Sequence, residues 1–128
     1  MVLDPRQLVL RCVNAALERK AEDLVILSVK DLSSFADYFV ICSGNSDRQI
    51  RALADHIGHT LKKTGISPLG IEGERSGSWI LMDYGDVILH IFYRPVREFY
   101  DIEGLWSDAP RMTIAASMRE LTVLDDDM

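Results

Sequence analysis

The feature that most constrains this chain is a pair of apolar runs, Trp79-Ile80-Leu81-Met82-Asp83-Tyr84 and Val87-Ile88-Leu89-His90-Ile91-Phe92, separated only by Gly85-Asp86. Two β-rich runs around a Gly-Asp pair spell a β-hairpin with a two-residue turn. Such a turn fixes the register: Tyr84 must face Val87, and every pair outward follows. Ile80, Met82, Tyr84, Val87, Leu89 and Ile91 then share one face, which is wholly apolar and expected to be core. Trp79, Leu81, Asp83, Ile88, His90 and Phe92 share the other, apolar except for one acid and one imidazole. Either helices cover that second face, or it stays open and sticky. An open patch holding tryptophan and phenylalanine would mark an interface. The loop Gly73-Glu74-Arg75-Ser76-Gly77-Ser78 would then supply its polar rim.

The elements around the hairpin have their own signals. Asp4-Pro5 starts a helix, with an acid at the cap and proline at the first helical position. Leu8, Cys12, Val13, Ala16 and Leu17 follow at helical spacing. Leu24 to Val29 and Tyr38 to Ser43 read as strands. Ser46 caps a second helix carrying Ile50, Leu53, Ala54, Ile57 and Leu61 on one side. Pro68 to Glu72 is extended. Pro95 opens a helical turn through Arg97 and Tyr100, after which Phe99, Ile102 and Trp106 form a stripe expected in the core. This order predicts one α/β domain, a mixed β-sheet flanked by helices, over residues 1–110. Residues 111–128 are expected to be a tail, with a short helix from Ile114 to Leu121 and a frayed acidic end at Asp125-Asp126-Asp127. A chain of 128 residues suits a single domain.

Charge narrows the partners. Twenty acidic residues against fourteen basic ones give a net charge of -6. That excludes a generic nucleic-acid wrapper, which draws its affinity from neutralised phosphates. It suits a basic partner, because opposite charges speed encounter. Arg94 and Arg97, with Arg48 and Arg51, are the only hints of an RNA contact. Cys12 and Cys42 lie thirty residues apart without CxxC spacing and read as buried thiols. No apolar run reaches the ~18 residues of a membrane span. The first residues lack the form of a targeting peptide, and a cytoplasmic location is expected.

A search for chemistry yields little. The turn Gly44-Asn45-Ser46 joins a strand to a helix N-terminus, where free backbone N–H groups attract anions. Yet neither a P-loop lysine nor a GxGxxG pattern accompanies it. Magnesium-dependent nucleotidyl transfer would need converging carboxylates. The candidates Asp37, Asp83 and Asp86 include no pair at i, i+2 within a strand. His56 and His59 lie three apart on the second helix, but no third zinc ligand is evident. No enzyme, metal or cofactor emerges.

Ala36-Asp37-Tyr38-Phe39-Val40-Ile41-Cys42-Ser43-Gly44-Asn45-Ser46 resembles the signature of the ribosomal silencing factor family, also called RsfS or Iojap. So do Glu72-Gly73, Trp79 to Val87, His90-Ile91-Phe92, Arg97-Glu98-Phe99-Tyr100 and Leu105-Trp106. The resemblance covers roughly residues 4 to 107 and leaves the tail outside. It implies a fold related to nucleotidyltransferases that has lost the catalytic carboxylates. It also implies a translational repressor that binds the large ribosomal subunit through ribosomal protein L-fourteen and blocks joining of the small subunit. A free homodimer is implied as well. On this reading Trp79, Leu81, Asp83, Ile88, His90 and Phe92 become the partner surface, with Arg94 and Arg97 as minor rRNA contacts. A large-subunit assembly factor would need the same surface. A nucleotide-binding enzyme using Gly44 to Ser46 and Asp37 or Asp83 is the alternative of a different class.

Overall fold

The computed structural model describes residues 3–114 and the backbone of residues 121–123. In chain order the elements are α1 (Pro5–Glu18), β1 (Glu22–Ser28), β2 (Tyr38–Gly44), α2 (Asp47–Lys62), β3 (Gly70–Glu72), β4 (Trp79–Asp83), β5 (Val87–Tyr93), α3 (Arg94–Tyr100), α4 (Ile102–Leu105), β6 (Arg111–Ile114) and β7 (Leu121–Val123). The hairpin forms in the register its turn dictates. Trp79 lies opposite Phe92, Leu81 opposite His90 and Asp83 opposite Ile88, and the Tyr84 N–H donates to the Val87 carbonyl at 2.9 Å. Gly85 takes φ +88° while Asp86 stays at negative φ, the pattern of a type II′ turn. The Asp83 carboxylate accepts the Gly85 N–H at 2.8 Å, so this acid shapes the turn.

Among the described residues seven strands form one sheet, in the order β3-β4-β5-β2-β1-β6-β7. The central β2–β5 pair is parallel and every other pair is antiparallel. All seven residues of β2 are buried, as expected for a parallel-paired strand covered on both sides. Gly73, just after β3, has φ +88°, and a Cβ there would sit 1.9 Å from the Trp79 carbonyl oxygen. The chain can therefore turn into β4 only with glycine at this position.

The two long helices close the face that carries Ile80, Met82, Leu89 and Ile91. Asp4 caps α1 by accepting the Arg6 N–H at 3.1 Å, and Ser46 caps α2 by accepting the Gln49 N–H at 3.1 Å. The buried side of α2 is the expected set Ile50, Leu53, Ala54, Ile57 and Leu61. On α1 the buried arc takes in Val9 and Ala15 and leaves Leu17 exposed. Leu17 sits in the last turn, rotated away from the arc centred near Cys12 and Ala16.

Two described pieces of the expected tail, Arg111–Ile114 and Leu121–Val123, are instead strands of the sheet. β6 pairs with β1, setting Met112 opposite Ile26, and Ile114 pairs with Leu121 of β7. The open edge of β1 offers unpaired backbone groups, and a strand with an inward Met112 satisfies them while adding to the core. Strand thus stands at both ends of the expected helix. Its residues 115–120, and the acidic run Asp125–Asp127, lie outside the described residues.

Candidate functional site

The second face of the sheet is assembled from three strands. Parallel register sets Phe39, Ile41 and Ser43 of β2 beside Ile88, His90 and Phe92 of β5, and β4 adds Trp79, Leu81 and Asp83. What covers them is short. α3 starts directly after β5 with Pro95 in its first turn and ends at Asp101, whose φ of +45° breaks the helix before α4.

Arg97 fastens α3 to the sheet. Its Nη1 donates to the Ser43 hydroxyl at 2.7 Å, and its Nε and Nη2 grip both oxygens of Glu103 at 2.9 and 3.1 Å. A two-point guanidinium–carboxylate pair of this kind fixes orientation as well as distance. The hydrogen bond from Arg97 holds the Glu103 carboxyl below its usual range.

The covering is partial, and it divides the six face residues into two groups. Ile88, His90 and Phe92 are buried in a second core with Leu27, Phe39, Ile41 and Ile102. Trp79, Leu81 and Asp83 on β4 are half-buried. Trp79 stacks on Phe92 at 4.7 Å between ring centroids and meets the Tyr100 ring at 5.1 Å. Its indole Nε1–H donates to His90 Nδ1 at 3.2 Å. His90 also meets the Phe39 ring edge-on at 5.0 Å. Burial in this aromatic cage pushes the imidazole down to about 4.

The expected stripe Phe99, Ile102 and Trp106 does not hold together. Because Asp101 interrupts the helix, Ile102 turns inward while Phe99 is 81% exposed. Tyr100 is half exposed, and Leu105 on α4 is 79% exposed. Phe99 packs edge-on against Tyr100 at 5.1 Å, so the ring series Phe92, Trp79, Tyr100, Phe99 climbs from core to solvent. Phe99, Tyr100 and Leu105 escaped the sequence reading as surface residues. The local signal was the Asp101…Gly104 spacing, a capping pattern in which the Asp101 carboxylate accepts the Gly104 N–H.

The rim also differs from expectation. Loop 73–78 is drawn toward α2 on the other side of the sheet, where Arg51 donates to the carbonyls of Glu74 and Arg75 at 3.0 and 2.7 Å. In its place Glu72 lies directly opposite Leu81, so Leu81 is framed by the acids Glu72 and Asp83.

Three of the four arginines that hinted at an RNA contact, Arg94, Arg97 and Arg51, are engaged within the protein. Arg97 is buried and paired, as above. Arg94 binds the carboxylates of Glu22, at 2.6 Å, and Asp23. A bulge in β1 between Glu22 and Val25, with Asp23 at φ +49°, brings both acids to it. Arg94 in turn lowers the Asp23 carboxyl, chiefly through that hydrogen bond. Arg51 serves the loop.

The other chemical candidates stay apart. His56 pairs with Glu18 of α1 at 2.8 Å, and His59 is exposed. Among the described residues no group of three His, Cys, Asp or Glu side chains is placed to hold a metal. At the Gly44–Ser46 turn the Asn45 N–H goes to the Gln49 carboxamide at 2.7 Å and the Gln49 N–H to Ser46. Cys12 and Cys42 are buried free thiols, pushed up to about 12 mainly by that burial. No helix among the described residues is long and apolar enough to cross a membrane.

Fold and site together define a class: a single α/β domain whose sheet is sealed on one side and left half open on the other as an aromatic ledge with an acidic border. Comparison with known proteins gives the class its family. Residues 2–126 match the family model described as ribosomal silencing factor during starvation, so the match runs through the segment that the sequence reading left outside. A ribosomal silencing factor from Halalkalibacterium halodurans is 38% identical over 109 residues, covering 85% of this chain and 93% of the relative. A mouse protein named for mitochondrial assembly of the ribosomal large subunit is 31% identical over 98 residues, covering 74% of this chain and 43% of its own length. The crystal structure of a Chromobacterium violaceum protein superposes with a TM-score of 0.80 at 34% identity, covering 82% of this chain and 88% of that one. The chain belongs to the ribosomal silencing factor family.

Proposed function

We propose that this protein binds the large ribosomal subunit through ribosomal protein L-fourteen, on the face where the small subunit docks, and represses translation by keeping the subunits apart. The observation that carries the reading is the half-open ledge. Trp79 and Leu81 present apolar surface beside Tyr100 and the exposed Phe99, and Glu72 and Asp83 supply negative charge at the border. Apolar centres ringed by polar groups are how protein interfaces are built. An acidic border on a chain of net charge -6 suits a basic ribosomal protein and disfavours broad rRNA contact.

No chemistry is needed: the mechanism is occupancy. Trp79 and Leu81 make the contact, Asp83 borders it, and Ile88, His90 and Phe92 support it from beneath. The protein acts in the cytoplasm, and the free chain forms a homodimer. The mouse relative's name raises assembly of the large subunit as a second role for the same surface. Preference for immature over mature subunits would separate that role from silencing.

The test is co-sedimentation with isolated large and small subunits. The protein should pellet with the large subunit alone and be excluded from assembled ribosomes. Trp79→Ala and Phe99→Ala should each keep the fold, judged by far-UV circular dichroism. Trp79→Ala should lower affinity by about 30-fold or more, as loss of an aromatic anchor does. Wild-type protein that pellets with neither subunit sinks the proposal.

A further inference from the structure

His90 is the polar group of the second face that packing alone does not explain. It is 5% exposed and surrounded by the rings of Phe39, Trp79 and Phe92. Its Nδ1 accepts the Trp79 indole N–H, and a neutral imidazole that accepts at Nδ1 carries its own hydrogen on Nε2. That Nε2 is buried and finds no hydrogen-bond partner among the described residues. A phenylalanine would fill the same aromatic cage without leaving a buried donor unpaired, and buried polar groups left unpaired are rare enough to need a reason. Among the described residues the one polar contact that histidine gains over phenylalanine here is the bond to Trp79.

That bond acts on a surface side chain. Trp79 faces Phe92 across the hairpin, and His90 sits one diagonal step away on the same face. At this spacing long side chains of an antiparallel pair still reach each other. An indole in contact with solvent ordinarily directs its N–H to water or to a binding partner. Here the N–H is directed inward, and Phe92 and Tyr100 hold the ring from two sides. The indole is therefore fixed before any partner arrives, and what it shows outward is ring carbon.

We propose that His90 is a positioning residue for the ledge: by accepting the indole N–H it locks Trp79 in its docking orientation and leaves the partner ring carbon, not a hydrogen-bond donor, at that point. This inference rests on the large-subunit reading above and adds to it the chemistry of the central contact. The group that covers Trp79 packs on ring carbon and makes no hydrogen bond to the indole N–H. Locking the ring in advance removes the ordering cost that a mobile tryptophan would bring to association.

The test compares wild type, His90→Phe and His90→Asn. Asparagine can place its side-chain oxygen near the position of Nδ1, whereas phenylalanine keeps the ring and deletes the acceptor. Two quantities are read: hydrogen-exchange protection of the Trp79 indole N–H, assigned against Trp106→Phe, and affinity for isolated large subunits. His90→Phe should melt no lower than wild type at pH 7, yet lose the indole protection and at least tenfold in affinity. His90→Asn should recover most of both. His90→Phe that binds as tightly as wild type, or that keeps the indole protected, overturns the inference. Wild-type protein that fails to pellet overturns instead the reading on which it rests, and the wild-type lane tells the two failures apart.

Discussion

On one side of the sheet stand α1 and α2, 14 and 16 residues long; on the other stand α3 and α4, of 7 and 4 residues. The same strands feed both sides through alternate residues, yet the two are finished by different physics. The long helices bring whole apolar arcs and seal Ile80, Met82, Leu89 and Ile91 completely. The short ones lack the length to do so. They bury little beyond Ile102, are fastened by the polar contacts of Arg97 to Ser43 and Glu103, and leave β4 partly uncovered. A sheet side sealed by long apolar helices holds the molecule together, whereas one closed by a smaller core and a few directed bonds can keep a tryptophan and a leucine at the surface.

The sharpest way to break this contrast is truncation of leucines on neighbouring strands. Leu89→Ala, on the sealed side, should cost about 4 kcal/mol, since a fully buried leucine leaves a cavity that rigid helices cannot fill. Leu81→Ala, on the half-open side, should cost less, about 1 kcal/mol, because that side chain is only partly buried and water can fill the space it leaves. Urea denaturation measures both. Equal losses would mean that the two sides are packed alike.

Next in size is the response to acid. Burial lowers the His90 imidazole from 6.5 to about 4. Between these values the unfolded chain takes up a proton that the folded chain refuses. Stability is therefore full above pH 6.5 and falls as the pH drops toward 4, by about 3 kcal/mol at most. Glu103, held low by Arg97, loses its contribution only at or below the ordinary carboxylate range, so between pH 7 and 5 the difference between wild type and His90→Phe reads this histidine. His90→Phe should flatten that part of the curve. Parallel curves for variant and wild type would mean that the imidazole is open to water.

Smaller again is Arg97→Met, which strands Glu103 and the Ser43 hydroxyl. With Arg97 and Glu103 side chains 10% and 19% exposed, water can relieve part of the loss, and about 2 kcal/mol is expected. The variant should also loosen α3, seen as faster amide exchange over residues 94–100 with α2 unchanged. A chain that melts as wild type would make the pair ornamental to the fold.

Much of this architecture was legible in the residues. The Gly85-Asp86 turn set the register of the hairpin and so the membership of both faces, because a two-residue loop permits one pairing. Asp4 and Ser46 marked their helices because a capping oxygen is needed just there. The α2 arc followed from its spacing. Covering was not legible. Whether Trp79 or Phe92 meets water depends on how far α3 and α4 reach, which no local pattern encodes. Arg94 and Arg97 read as candidate RNA contacts because their acids lie far along the chain, at Glu22 and Asp23, or across a helix break, at Glu103. Residues 111–114 read as the start of a tail because β6 finds its reason only in the open edge of β1.

By itself, then, the sequence determined the strands, the long helices, the sorting of residues between two faces and the family signature, all consequences of local periodicity and turn chemistry. Only the tertiary structure decided which half of the second face stays open, which acids border it, and that the Trp79 N–H is turned inward to His90. Those outcomes depend on distances between residues remote in the chain, and packing sets them.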